Sequence, residues 1–391
     1  MGLRTIGANA SSIGKINRSI VLSVLLHSDQ PLTKAEIASQ TELVLPTISN
    51  ICSNLMTEGL IIEAGVAKSK GGPKPVLFSI NPFGRYFLGV DIRIGEFTCL
   101  LIDLSGNIVE VTKNEFQIMD EPSIVLDQVI IAIDKLLQTS KVEIEKIGGI
   151  GISSPGPVDN QQGMILSPPT MTKWRNVPIT EIVKRKFDVP CFLERDADAA
   201  AFAEMQHGTS QGALNLIYIM AETGIGSGII INSEIYTGSW TGAGEIGHTR
   251  VMDEGPLCDC GKYGCVEAVA SAPALRSVLS RKLSRAISIQ ELYELLDLNP
   301  EEIMDSVSKA ARYLGMAIGN MCNLLNPEIV ILGGALFDHC VAYFNEVIRT
   351  AREQILDDFS NRILFTRAQL GEYGCAVGAA KIALQNVIGL A

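Results

Sequence analysis

The chain has 391 residues, 47% hydrophobic and 19% charged, with a net charge of −11 and an isoelectric point near 5.0. That length corresponds to two or three domains, and the composition excludes wholesale disorder, a coiled coil or a collagen-like fibre, while the excess of acid argues against a molecule coated all over for nucleic acid or membrane. No apolar run approaches the ~20 residues needed to span a bilayer, and the opening Met1-Gly2-Leu3-Arg4-Thr5 lacks a signal peptide's apolar centre, so a cytoplasmic location without membrane insertion is expected.

Charge is unevenly placed. Residues 1–80 carry +2 and the rest about −13, with a junction near Ser79-Ile80-Asn81-Pro82. A small basic domain, 1–82, is therefore expected ahead of a large acidic one, 83–391. Ile16, Ile20, Val24 and Leu25 recur at helical spacing and predict a first helix that buries that stripe. Thr33-Lys34-Ala35-Glu36 reads as a capping box opening a helix over 34–40. A third helix is predicted from about Pro46 to Thr57, with Ile48, Ile51 and Leu55 inward. Its outer face offers Thr47, Ser49, Asn50, Ser53 and Asn54. Residues 60–63 and 75–80 read as strands joined by a tip rich in Lys, Gly and Pro that contains Lys70 and Lys74. Together these make a winged helix-turn-helix. Thr47, Ser49 and Asn50 are then candidates for DNA base edges and Lys70 and Lys74 for phosphates; the plainer reading is a helical packing module with a solvated polar face.

The large domain opens with predicted strands at 87–91, 96–103 and 108–114. A similar pattern returns at 215–220, 229–232 and 235–236, around the glycine-rich loop Glu222 to Gly228. Two like units more than a hundred residues apart suggest a duplication, hence two α/β lobes facing a cleft. Between them are predicted a helix over 123–140, a strand over 146–153 and a turn at Ser154-Pro155-Gly156-Pro157. Further on come a helix over 306–325 with Gly315 and Gly319 four apart, a strand over 328–332 and a helix over 373–384.

Of nine cysteines, an odd number, three crowd into 258–265, which favours a metal site over a disulfide framework. His248, Cys258, Cys260 and Cys265 supply the ligand count and types of one tetrahedral structural zinc, with Gly261 and Gly264 letting the loop fold back. Such a closed ligand set shapes a site and performs no hydrolysis. It would also fix Glu245, three residues before His248, and Glu267, two after Cys265. Those carboxylates can accept sugar hydroxyls, or they can be ordinary solvated acids. Asp196 follows a predicted strand over 190–193 and opens an alanine-rich helix; it can accept a hydroxyl proton or cap that helix, and spacing does not choose.

Glu245-Ile246-Gly247-His248, the block Cys-x-Cys-Gly-x-x-Gly-Cys-x-Glu from Cys258 to Glu267, and the preceding Thr223-Gly224-Ile225-Gly226-Ser227-Gly228 resemble the ROK family of repressors and sugar kinases. The likeness runs over about 87–391, and 13–82 resembles the DNA-binding domain of the repressor branch, the xylose and N-acetylglucosamine repressor type. The resemblance implies an actin-like, ribonuclease H-like duplicated fold, zinc on the four ligands named, sugar contacts from Glu245, His248 and Glu267, and Asp196 in the place of the kinases' catalytic base. Where those kinases carry Asp-x-Gly-Gly-Thr-Lys, this chain has Asp91-Ile92-Arg93-Ile94-Gly95-Glu96, and Glu222 replaces a glycine of the second phosphate loop. Bulk and unfavourable negative charge then argue against ATP binding and catalysis. The expected function is a sugar-responsive transcriptional repressor of carbohydrate genes, a homodimer or higher homo-oligomer on a palindromic operator; a sugar kinase with an added DNA-binding domain is the alternative, and control by a protein partner a third. Arg195, beside Asp196, would either read the phosphate of a sugar phosphate or pair with Glu194 or Asp198 on the surface.

Overall fold

The computed structural model describes residues 10–68, 74–207, 210 and 212–389. Three helices open it, Ala10–Leu26, Lys34–Thr41 and Leu45–Thr57. The capping box forms as expected: Thr33 Oγ1 accepts the Glu36 N–H at 3.2 Å, and the Glu36 carboxylate accepts the Thr33 N–H at 2.7 Å. The wing strands Ile61–Val66 and Val76–Ile80 pair antiparallel, and a strand that the sequence did not announce, Leu32–Thr33, joins them through Phe78 and Leu77. Lys70 lies outside the described residues, whereas Lys74 is exposed at the base of the wing.

The first helix corrects one expectation. It buries Val21, Leu22 and Leu25, while Ile16 and Ile20 are 54% and 36% exposed. Two overlapping apolar stripes share this helix, and the one facing the second and third helices is the one that is buried.

Asn81 leaves the wing, its Nδ2 donating to the Gly59 carbonyl at 2.7 Å, and the short turn Pro82–Gly84 leads into two five-stranded sheets built to one plan. In the first, an antiparallel meander of Tyr86–Arg93, Glu96–Asp103 and Ile108–Glu115 is extended in parallel by Ile147–Ser154 and Cys191–Arg195. In the second, Leu216–Ala221, Ile225–Ile231 and Glu234–Ile235 are extended by Ile329–Gly333 and Leu364–Arg367. The repeat is the expected duplication, with one difference. Residues 225–228, read as loop, already pair as strand, so the loop contracts to Glu222-Thr223-Gly224, closed by the Glu222 N–H on the Gly224 carbonyl at 2.9 Å.

Helix Gly374–Ile388 packs on the first sheet, helix Asp196–His207 on the second, and the two helices pack on each other. Both contacts of the last helix require bare backbone: against its partner helix a Cβ on Gly378 would lie 1.8 Å from the Ala199 carbonyl oxygen, and against the first sheet one on Gly151 would lie 1.7 Å from that of Ala379. Gly315 and Gly319, in the helix Glu301–Leu325, similarly admit the helix Val341–Gln354. The winged unit is not a loose appendage, because one apolar core runs from Leu22, Leu55 and Phe78 through Leu100 to Ala380 and Leu384. Among the described residues no helix is long and apolar enough to cross a membrane.

These glycines give a test of opposite signs. Gly378→Ala should destabilise the chain by about 3 kcal/mol, since backbone and not a flexible side chain must move. Gly14→Ala, in a helix with nothing within 4 Å of the new Cβ, should stabilise by about 0.5–1 kcal/mol. Denaturant midpoints at unchanged slope would measure both.

Candidate functional site

The metal loop is built by turns. Ile246–His248 forms a single 3-10 turn, and Gly261 and Gly264 take φ of +83° and +75°, conformations that favour glycine. The loop closes through the Gly261 N–H on the Cys258 carbonyl and the Cys258 N–H on that of Lys262, both at 2.8 Å. As a result the ligand atoms of His248, Cys258, Cys260 and Cys265 lie within 4.8 Å of one another. Cys260 and Cys265 Sγ are 3.7 Å apart, and Cys258 Sγ is 3.7 Å from His248 Nδ1. A tetrahedral ion with bonds of ~2.3 Å to sulfur separates its sulfurs by about 3.8 Å, so the donor set matches one.

The same loop aims two carboxylates. Cys265 precedes the short helix Val266–Ala270, which puts Glu267 in its first turn with Oε2 accepting the Ile225 N–H at 2.9 Å. His248 Nε2, the nitrogen away from the thiols, faces Glu245 at 4.0 Å. One imidazole therefore serves the metal loop with Nδ1 and the cleft with Nε2. A cavity of about 180 Å³ between the lobes is lined by Arg195, Asp196, Glu245, His248 and Glu267, so the five residues singled out for ligand binding meet in one place. Burial, reinforced by the Asp91 carboxylate, pushes Asp196 up to about 7 against the Ala197 N–H and the nearby Arg195 and Arg93. Burial raises Glu267 as well.

Arg195 follows neither course expected of it. Its side chain is 4% exposed; Nε and one terminal nitrogen each reach Asp198 at 2.7 Å, and the other donates to Glu245 at 3.0 Å. A further donor points to the Ser227 carbonyl at 3.3 Å. Asp198 is indeed the partner, but inside the protein and not on its surface, and no pair of donors is left side by side for a phosphate. Desolvation pulls the guanidinium down, yet Asp198 and Glu245 outweigh it and hold Arg195 charged.

Arg93 is the residue that sequence reasoning noticed only as bulk. Its Nε donates to Asp91 at 2.6 Å, and one terminal nitrogen crosses to Glu222 of the second lobe at 3.1 Å while the other reaches the Glu372 carbonyl at 3.1 Å. Glu96 pairs with Lys113 on the adjoining strand at 3.1 Å. Both carboxylates read as unfavourable to phosphate are thus neutralised by partners, and what occupies that end of the cleft is an ion pair. The signal was available: a cation replacing glycine in one loop and an anion replacing glycine in the other are reciprocal changes. Asp91, 1% exposed, is also fixed by the Ser153 hydroxyl at 2.7 Å.

On the winged unit, Thr47, Asn50 and Asn54 share one face of the helix Leu45–Thr57 and line a groove with Lys15 and Arg18 of the first helix. Ser49 is half-buried and lies off that groove. Lys15 was not singled out from the sequence, since only the packing of the first helix brings it beside the third.

The ROK family model matches residues 87–386. A xylose repressor of Bacillus subtilis (strain 168) is 29% identical over 381 residues, 97% of this chain and 98% of its own. Among solved structures, a ROK family transcriptional regulator described as a homolog of the E. coli MLC protein aligns with a TM-score of 0.84 at 27% identity, over 97% of this chain and 98% of that one. A ROK hexokinase from Thermus thermophilus, also 27% identical, aligns with a TM-score of 0.67 over 77% of this chain and 99% of its own. With the winged unit, the duplicated lobes and the His/Cys loop all in place, the chain belongs to the ROK family.

Proposed function

We propose that this chain is a sugar-responsive transcriptional repressor of carbohydrate uptake or catabolism genes and not a sugar kinase. The observation that carries the reading is the cleft itself: its carboxylate end is assembled, whereas Arg93 and Glu222 pair across the other end. The likeness to the xylose repressor spans the winged unit as well as the lobes, and the hexokinase aligns with only 77% of this chain, which supports assigning 1–82 to DNA and 83–391 to sensing. Zinc, one per chain, is the ion suited to three thiolates and an imidazole; it holds Glu245 and Glu267 in place and supplies no open coordination position. Asp196, Glu245 and Glu267 accept from sugar hydroxyls, the His248 Nε2–H donates to one, and Arg195 positions Glu245. Three carboxylates around a committed guanidinium favour a free sugar over its phosphate. Thr47 and Asn50 read bases, Ser49 lying off their groove, Lys70 and Lys74 contact phosphates, and a homodimer presents two such helices about 34 Å apart to a palindromic operator. Titration of the purified protein with matched free and phosphorylated sugars, alongside an ATP-turnover assay, tests the reading: sugar-stimulated ATP consumption would replace it with the kinase.

In the winged unit, Lys74→Ala should weaken binding on every sequence and lower the salt slope by about one, whereas Asn50→Ala should cost about 1–3 kcal/mol at a single base position. Binding isotherms over a salt series and a panel of single-base operator variants separate the two outcomes.

Metal analysis of the protein purified without chelators should find one zinc per chain. Cys258→Ser and Cys260→Ser should lose it, and the sugar response with it, because the loop that holds Glu267 comes free. A wild-type metal content far below one per chain would refute the site.

Sugar affinity should fall as pH drops through about 7, where Asp196 takes up a proton and loses acceptor capacity. Asp196→Asn should flatten that step in a calorimetric pH series.

A further inference from the structure

The last helix, Gly374–Ile388, is buried along most of its length and carries one cation there, Lys381, which is 7% exposed. Among the described residues no carboxylate, carbonyl or hydroxyl is paired with its ammonium. Burial alone acts on it and lowers it to about 7, so it gains nothing from a neighbour. It lines a cleft of about 580 Å³, which shares no lining residue with the sugar site and lies between the first helix of the winged unit and the sensing lobes.

The walls of that cleft indicate what it takes. Leu26, Leu104, Phe202 and Leu384 supply apolar surface, and Ser23 and Gln385 supply polar groups. The other titratable groups facing it are His27 and Asp29, both just after the first helix; among the residues whose side chains are described, no further titratable group lines it. Lys381 is the one buried cation of the cleft, His27 and Asp29 being exposed; it balances one negative charge and, with Asp29 in the same wall, leaves a dianionic phosphate under-neutralised. The volume is in the range of small-molecule sites.

We propose that this cleft is a second effector site, which binds a small organic monocarboxylate with its carboxylate on the Lys381 ammonium and its apolar body against Leu26, Phe202 and Leu384. Its occupant touches both the DNA-reading and the sensing units and so is placed to bias how they dock. The binding claim stands on the cleft alone and does not depend on the sugar reading.

Calorimetric titration of the full chain with benzoate and octanoate, against benzamide, octanamide and inorganic phosphate, tests it at mildly alkaline pH in two buffers of different ionisation heat. At least one carboxylate should bind at one site per chain, with proton uptake as Lys381 becomes charged, and its neutral amide and phosphate should bind at least about tenfold more weakly. Lys381→Met should abolish binding, while Glu245→Gln, in the sugar cleft, should leave it unchanged. Should Lys381→Met not fold, Ser105→Trp, in the exposed turn at the mouth, should block entry instead. The proposal is overturned if neither carboxylate binds at millimolar concentration, if amide or phosphate binds as well, if no proton is taken up, or if a folded Lys381→Met protein keeps the wild-type affinity.

Discussion

A charge buried between two lobes must be compensated where it sits, and in this chain that charge is the guanidinium of Arg195. It leaves the end of a first-lobe strand, pairs with the fully buried Asp198 in the helix that follows, and reaches Glu245 and the Ser227 carbonyl of the second lobe. Removing it would strand a carboxylate in a low-dielectric interior, a defect of about 3–5 kcal/mol in comparable buried pairs. The carboxylate end of the cleft depends on this node. Glu245 is held by Arg195 on one side and faces His248 on the other, and His248 belongs to the metal loop that fixes Glu267. The cleft carboxylates and the His/Cys loop are therefore one mechanical unit.

The opposite end of the cleft uses the same physics for a different result. Arg93 joins Asp91 of one lobe to Glu222 of the other, so the lobes are tied by an ion pair at the end where the resemblance to kinases implies a nucleotide. A sugar at the other end would meet lobes whose separation is already constrained, and a modest change in their angle could be passed to the winged unit through the shared core of Leu100, Ala380 and Leu384. Allosteric coupling requires such a connected, two-state element, and here the connection is packing and not a flexible linker.

Much of this was legible in the chain. The capping box at Thr33, the third helix, the duplicated meanders and the His248/Cys258/Cys260/Cys265 set all rest on local rules, namely spacing, caps and ligand chemistry, and these hold wherever the segment is placed. The errors have a common cause. The first helix offers two apolar stripes, and Ile16 and Ile20 lost to Val21 and Leu22 because the neighbours decide which stripe is covered. The strand Leu32–Thr33 is two residues long and exists only because Phe78 is there to pair with it.

The sequence by itself determined which residues could do chemistry: an imidazole and three thiols at metal-ligand spacing, the cleft acids and a polar face on the third helix are properties of residue type and spacing. Only the tertiary structure decided how their charges are spent. Arg195 proved to be an internal brace, Glu96 and Glu222 proved to be neutralised, and Lys381, silent in a glycine- and alanine-rich helix, proved to be an unpaired cation facing a cleft. Ion pairing is a matter of a few ångströms between residues that lie far apart in the chain, and no local pattern encodes that distance.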